Sequence, residues 1–407
     1  MIQDGNNELI SMMEMALGGA ALLLLLPAAF LCAEILLAVT KRVGGSRELG
    51  ERGRLAIIMP AHNEASIIAA TLHSVLPQLS PADRLIVIAD NCSDDTAKLA
   101  SAAGAEVIVR TDSSRRGNGY ALDFAVRDLE RDAPKIVIVV DADCQVADGS
   151  IDRLARACTR TERPVQALYL LHASRHASPR TRIAEFALTV KNQVRPSGLY
   201  RLGLPCQLMG TGMAFPWVCI SVAHLATGHI AEDLKLGVDL ARAGTPPMFC
   251  PDALVTSTFP ESTEGTRTQR TRWEHGHLAV ILGDAPRLLL DAILKMDLKL
   301  LTLALDLSVP PLALLTLVTS AIWIVSAVFY ALTREQAPLV IASTDAALLV
   351  LAVTLSWMRF GRHILSLTDL AQAFLYALWK IPVYAKFLVA RQLDWVRSRR
   401  DGDGPPP

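Results

Sequence analysis

KIVIVVDAD, Lys135–Asp143, joins an apolar run with the composition of a strand to two carboxylates one residue apart. A β-branched run free of turn formers reads as a fully buried strand of a parallel sheet. Ligands of open α/β sheets gather outside the carboxyl ends of such strands, which is where Asp141 and Asp143 fall. Carboxylates this close can share a hard divalent cation, and Mg²⁺ is typically held by one or two carboxylates together with substrate phosphates. An isolated Asp-x-Asp is more often a solvated pair in a turn. The flanking sequence decides against that reading here.

Strand and helix signals alternate from Leu55 to about Gly283. Leu55–Pro60 (LAIIMP) reads as a strand, and Glu64–Leu79 carries Ile67, Ile68, Leu72, Val75 and Leu76 at helical spacing. Arg84–Asp90 (RLIVIAD) is the next strand; Ser93 is placed to cap the helix after it, and Gly104 to end that helix. Glu106–Arg110, Asn118–Asp132 and Lys135–Asp141 continue the series as strand, helix and strand. Such a βαβαβαβ order predicts a mostly parallel, Rossmann-like sheet with right-handed crossovers and a site along its carboxyl edge. Polar groups mark the strand ends at His62-Asn63-Glu64, at Asp90–Asp95 and at Asp141-Ala142-Asp143. Asp94 and Asp95 suit the positive end of a helix dipole; Asp90 reads as a ligand-facing carboxylate, and His62 fits either role. No GxxxxGK[ST] or GxGxxG follows these strands, so neither a P-loop nor a dinucleotide fingerprint is present.

Forty basic residues balance forty acidic ones over 407 residues, which argues against nucleic acid as a partner. Apolar composition concentrates at the two ends. Met15–Ala33 has no charge and is long enough to span a bilayer. Asp4, Glu8 and Glu14 precede it in place of a basic segment, unlike a cleaved signal peptide. Lys41, Arg42, Arg47, Arg52 and Arg54 follow it, which by the positive-inside rule places the N-terminus outside and the middle of the chain in the cytoplasm. Two further runs, 307–333 and 336–358, predict a transmembrane hairpin, with Asp345 facing the bundle or marking the start of its span. The expected organisation is an outer tail (1–14), a first span (15–40), a basic linker (41–54) and a cytoplasmic α/β domain (55–283). After these come an interfacial helix (284–306), the hairpin, an amphipathic interfacial segment (359–400) and a disordered tail (401–407). This organisation predicts a multi-pass protein of the inner (cytoplasmic) membrane. Seven cysteines without a CxxC pair read as small buried residues of a reducing compartment.

The ordered motifs PAHNE (60–64), ADNCSDD (89–95), DAD (141–143), AED (231–233) and QRTRW (269–273) resemble those of a family-2 glycosyltransferase with the A-type nucleotide-sugar fold. The resemblance is greatest to the membrane-anchored branch that includes cellulose and hyaluronan synthases. It implies that Pro60, Glu64 and Asp90 surround a uracil, and that the loop Arg115-Arg116-Gly117-Asn118 contacts the nucleotide through Arg115 and Asn118. By the same resemblance Asp141 touches ribose or metal, Asp143 ligates Mg²⁺ or Mn²⁺, and Gln269 and Arg272 bind the nucleotide sugar, with the Arg272 guanidinium at its diphosphate. Glu232-Asp233 matches a Thr-Glu-Asp motif with Ala231 in place of Thr, which makes Asp233 the catalytic base with Glu232 beside it. Trp273 is then a platform for the acceptor sugar.

Sugar transfer from a nucleoside diphosphate requires neutralisation of the leaving group, a general base and an acceptor platform. Arg270 and Arg272 lie two apart on an expected helix and point to different sides, so only one can face the diphosphate. Met209–Met213, expected between helical segments, carries Gly210 and Gly212, which permit close approach of an acceptor. His275 and His277 read as helix-face residues. The combined expectation is an inverting enzyme that moves sugar from a UDP donor to a lipid-linked glycan or polysaccharide at the bilayer, in exopolysaccharide assembly with other assembly proteins. Its rivals are a processive synthase, a non-catalytic nucleotide-sugar-binding scaffold of an export complex, and a nucleotidyltransferase.

Overall fold

The computed structural model describes residues 2–40, 51–259 and 263–389, with residues 2–6 and 263–269 described by their backbone alone. Its centre is a mixed sheet of β1 (Leu55–Ala61), β2 (Arg84–Asp90), β3 (Glu106–Arg110), β4 (Ile136–Val139), β5 (Gln145–Val146), β6 (Val165–His172), β7 (Met213–Pro216) and β8 (Met248–Thr258). The spatial order is β3-β2-β1-β4-β7-β6-β8-β5. β1 lies between β2 and β4, parallel to both, with Ile58 opposite Val139. β7 runs antiparallel to β4 and to β6, while β6 and β8 are parallel.

Side-chain alternation along β1 explains why it is apolar throughout. Leu55, Ile57 and Met59 pack on one face with Ile68, Leu72 and Val75 of α2 (Ile68–Val75). α3 (Thr96–Ala102) links β2 to β3, and α4 (Asn118–Leu129) covers the other face, where Ala56 and Ile58 meet Ala121, Leu122 and Ala125. Burying each such Ile or Leu is worth about 1.5–3 kcal/mol, so a strand with two apolar faces is most stable between two helical layers. α5 (Ser150–Thr161) joins β5 to β6.

Two local expectations change. The helix expected over 64–79 starts at Ile68, because Asn63 has φ 56° and the Glu64 amide donates to Thr96 Oγ1 at 2.8 Å. Asp94, not Ser93, accepts the Thr96 amide at 3.0 Å at the start of α3.

Beyond β6, α6 (Pro179–Thr189) runs through a π-helical turn, Val190–Val194, into α7 (Arg195–Tyr200). α8 (Trp217–Ile220) and α9 (Glu232–Arg242) precede β8, and α10 (Thr263–Gly283), α11 (Ala285–Lys295) and α12 (Leu298–Ser308) follow it. The single helix expected over 284–306 is therefore two. Met296 takes φ 50° and Asp297 caps α12 by accepting the Lys299 and Leu300 amides at 2.8 and 3.2 Å.

α1 (Ile2–Val39), α13 (Leu312–Thr333) and α14 (Ala337–Ser356) supply three helices long and apolar enough to cross a membrane. α1 extends through most of the residues expected as a tail. The second span begins at Leu312 rather than 307, because Pro310 and Pro311 separate it from α12. Asp345 is fully buried on α14, on the bundle side. The segment after residue 359 forms α15 (Leu367–Ala371), α16 (Ala373–Trp379) and α17 (Ile381–Val389). Most of the basic linker (41–50), residues 390–400 and the tail 401–407 lie outside the described residues.

A buried ion network joins the α/β domain to α1. Arg195 Nε donates to Glu34 Oε2 at 2.9 Å, its Nη2 reaches Asp306, and Gln207 Nε2 donates to Asp306 Oδ2 at 2.9 Å. Arg195, Glu34 and Asp306 are each no more than 4% exposed. Desolvation cancels most of the net worth of such a network, yet removing one member leaves buried charge unpaired, at about 3–5 kcal/mol. Beside it, a Cβ on Gly198 would lie 2.0 Å from the Glu34 carbonyl oxygen, so α7 and α1 touch through glycine. Arg195→Leu is expected to lower Tm of the detergent-purified protein sharply, with a loss of about 3–5 kcal/mol. Gly198→Ala should cost about 1–3 kcal/mol by forcing the helices apart; unchanged melting in both would refute this account of the junction.

Candidate active site

The sheet order makes the site. From β1 the chain proceeds outward through β2 and β3, then returns to place β4 on β1's other side. The carboxyl ends of β1 and β4 therefore form a topological switch point, where a crevice opens. Pro60 lies at the end of β1, and Asp141 and Asp143 just beyond β4. The Asp141 amide donates to Thr211 Oγ1 at 3.0 Å, and the Thr71 hydroxyl donates to the Ala142 carbonyl at 2.7 Å. The turn carrying the two carboxylates is thus held from both sides.

Thr211 belongs to the Met209–Met213 segment, which leads into β7 rather than lying between helices. Gln166 holds it, accepting the Met209 amide at 2.8 Å and donating to the Thr211 carbonyl at 2.9 Å. Gly210 and Gly212 both have positive φ, 90° and 64°. A Cβ on Gly210 would stand 3.6 Å from Asp233 Oδ2, so this glycine borders the site. On Gly212 it would collide at 2.9 Å with Ala167 and Val255, so this glycine packs against the sheet, and it does not line the cleft.

Glu232 and Asp233 occupy the first turn of α9, where the helix dipole favours negative charge. Arg272 and Trp273 come from α10. Together with Asp141, Asp143, Pro60, Glu64, Asn118 and Gly210 they line one cleft of about 220 Å³. Five carboxylates from three segments thus meet a guanidinium and an indole.

Burial pushes the Asp141 carboxyl well above its ordinary range, and Asp143, Glu232 and Asp233 add repulsion that Arg272 only partly offsets. Glu232 is pushed up to about 8, by burial first and by Asp233 second. Asp233 is raised by burial, with Lys191 pulling the other way. Lys191 is lowered by the same burial. A raised carboxyl is the stronger base when ionised, which suits Asp233 to take a proton from a hydroxyl.

Ligand atoms of Asp141, Asp143 and Cys144 lie within 4.8 Å of one another. The carboxylate pair fits a hard cation such as Mg²⁺ or Mn²⁺. Cys144 does not belong to that set: its Sγ donates to Asp143 Oδ1 at 3.5 Å, and burial raises the thiol well above its ordinary value.

Two expected residues do not line this cleft, and a third is described by its backbone alone. Asp90 is buried against Arg110, whose Nη1 donates to Oδ1 at 2.6 Å, and it does not line the cleft. Arg115 is mostly exposed and pairs with Asp112 at 2.9 Å. Gln269 lies on α10, but its side chain is outside the described residues. Conversely, the cleft includes Lys191, Asn192 and Tyr169, which carry no motif. Lys191 sits on the π-helical turn, a feature frequent at functional sites but invisible in hydropathy. His62 also lines the cleft, with Nδ1 2.6 Å from the Asp90 carbonyl oxygen. His275 and His277 are buried on α10; His275 Nε2 lies 3.0 Å from the Val383 carbonyl oxygen.

The family model described as glycosyltransferase like family 2 matches residues 53–276, more than half of the chain. The chain belongs to that family, and its mixed sheet is a GT-A fold. A curated Bacillus subtilis (strain 168) protein, "Probable glycosyltransferase YdaM", is 24% identical over 244 residues, which cover 57% of each chain. The chain thus spans little more than half the length of that relative. The mannosyltransferase PcManGT from Pyrobaculum calidifontis, solved with GDP-Man and Mn²⁺, is 19% identical with a TM-score of 0.49, over 83% of this chain and 98% of its own. Glucosyl-3-phosphoglycerate synthase from Mycobacterium tuberculosis, solved with Mn²⁺, UDP and phosphoglyceric acid, is 19% identical with a TM-score of 0.37, over 56% and 78%.

The raised carboxyls set a pH signature. Protons held by the folded state favour folding at low pH, and that stability is lost as pH rises from the ordinary glutamate value of 4.5 through about 8. A cation favours the ionised forms. Mn²⁺ is expected to raise Tm more near pH 8 than near pH 6, and Glu232→Gln to flatten the metal-free pH dependence. Equal Mn²⁺ shifts at both pH values would count against a cation among these carboxylates.

Proposed function

We propose that this protein is an inverting glycosyltransferase that moves one sugar from a UDP donor to a lipid-linked acceptor, in the assembly of a cell-surface polysaccharide. Its catalytic domain faces the cytoplasm from the inner membrane. The observation that carries the reading is the convergence of Asp141, Asp143, Glu232, Asp233, Arg272 and Trp273 on one cleft at the switch point of a GT-A sheet. The QRTRW motif behind this cleft and the helical pair α13–α14 support kinship with the membrane-anchored branch of the family.

In this mechanism Glu64 accepts from the imide N–H of uracil, and Pro60 and Asn118 flank the nucleotide. Asp143, with Asp141, would hold Mg²⁺ or Mn²⁺, which when bound supplies positive charge to the leaving diphosphate. Arg272 contributes a fixed guanidinium on the same side. Trp273 offers its indole face to the acceptor sugar. The acceptor hydroxyl attacks the anomeric carbon, the bond to the diphosphate oxygen breaks, and the proton passes to the Asp233 carboxylate. A single displacement inverts the anomeric configuration. Lys191 opposes the effect of burial on Asp233.

The test is a panel of UDP- and GDP-sugars with Mn²⁺, read as nucleotide release and as product length on a lipid-linked acceptor. One added residue is the expected product; a long ladder would establish processive synthesis instead. Asp233→Asn is expected to lose about 10²–10⁴-fold in transfer while binding UDP normally, and Asp143→Asn to weaken Mn²⁺-dependent UDP binding. Full turnover by Asp233→Asn would remove it as the base, and absence of any Mn²⁺-dependent UDP or GDP binding would overturn the reading.

A further inference from the structure

A second, larger cavity of about 650 Å³ lies between the α/β domain and the α13–α14 pair. It borders the acid cleft, and Leu188, Lys191 and Trp273 line both. Its walls are mostly apolar, with Phe186 from α6, Leu312 and Ile324 from α13, and Leu349 and Val353 from α14. Along α13 it runs from Leu312 to Ile324, ~18 Å of helix, more than half of a hydrocarbon core that is about 30 Å thick. Trp323, Ile324 and Val350, at its far end, are also exposed on the outer surface of the helices. A chain could therefore enter from the side. A threaded glycan would have to satisfy its hydroxyls against walls that offer few partners; an alkyl chain has none to satisfy.

The end nearest the cleft is basic. Lys191, Arg195, Arg270 and Lys380 line the cavity, and Glu274 is the one carboxylate among its described lining residues. Lys380 pairs with Glu274, and Arg195 with Glu34 and Asp306. Arg270 is different. Its guanidinium stands over the Phe259 ring, 5.1 Å from the centroid, and its buried Nε and Nη2 make no hydrogen bond among the described residues. Of the two arginines in QRTRW, Arg272 lines the acid cleft and Arg270 this cavity. Unused guanidinium donors beside an apolar channel match an anion at the head of an apolar chain.

We infer that this cavity seats the lipid of the acceptor: a single long apolar chain between α6, α13 and α14, with the phosphate that follows it held by Arg270. The sugar-accepting end then passes Trp273 toward Asp233. This rests on the glycosyltransferase reading and names the class of its acceptor, a lipid phosphate. Lateral access, apolar walls and a basic neck each follow from different residues, and the phosphate fixes how deep the chain sits.

The experiment uses the full chain in phosphatidylcholine nanodiscs, with radiolabelled farnesyl phosphate, farnesol and inorganic phosphate as probes and Mn²⁺-dependent UDP binding as the control. Saturable farnesyl phosphate binding is expected, with farnesol and inorganic phosphate competing poorly. Arg270→Gln should weaken farnesyl phosphate about tenfold or more, the worth of a charge-assisted contact, and leave farnesol unchanged. Thr316→Trp, which fills the cavity, should weaken both lipids, and both variants should bind UDP as the parent does. A diazirine analogue of farnesyl phosphate should label α13 or α14 in the unaltered protein, which decides the matter even if a variant fails to fold. No saturable binding, labelling confined to other segments, or unaltered affinity in folded variants would overturn the inference while leaving the transferase reading intact. Loss of UDP binding by the unaltered protein would instead strike the transferase reading.

Discussion

Repulsion among half-buried carboxylates is the constraint on which the rest of this structure turns. Asp141, Asp143, Glu232 and Asp233 arrive from two segments about ninety residues apart in sequence and share one small cleft. Desolvation raises the proton affinity of Asp141 and Glu232, and the neighbouring carboxylates raise it further. Arg272 and Lys191 offset part of that repulsion, at the cost of their own desolvation. An arrangement so unfavourable when fully ionised suits a centre that receives positive charge with its substrate. Catalytic sites are often where a fold carries such a local penalty.

The sheet bears that penalty because it is well supported. β1 and β4 are buried on both faces, and their hydrogen bonds fix the depth at which Pro60 and Asp141 emerge. Thr211 and Thr71 then pin the Asp141–Asp143 turn. Gly212 lets the strand leading into β7 press against β6 and β8, where a side chain would collide. Rigidity in the sheet thus becomes precision in the carboxylates.

The apolar helices are tied to this machinery rather than simply attached to it. α6 continues into the π-helical turn that carries Lys191 toward the acids, and the next residue beyond that turn is Arg195, which grips Glu34 of α1 and Asp306 of α12. One short stretch therefore faces both the chemistry and the helix bundle. α10 does the same from the other side, with Arg272 in the cleft and Arg270 in the apolar cavity.

Much was legible in the chain because it rests on local rules. Residues 84–90 and 106–110 fold as the strands expected, since an apolar run between turn formers has few other stable states. The carboxylates beyond β4 announce themselves for the same reason, and the three apolar helices follow from length and composition. Boundaries set by backbone hydrogen bonding were not legible: Asn63 and Met296 turn left-handed, and those turns shorten one helix and divide another. The Asp90–Arg110 pair could not be read from residue type alone, because only the register of β2 and β3 sets Arg110 opposite Asp90. Lys191 carried no signal, since a lysine in a helix is usually solvated and only tertiary packing turned this one inward. The sequence by itself determined which groups can do chemistry and which segments can enter a membrane. Only the tertiary structure decided which of those groups meet, because convergence depends on strand order and helix contact, which no local pattern encodes.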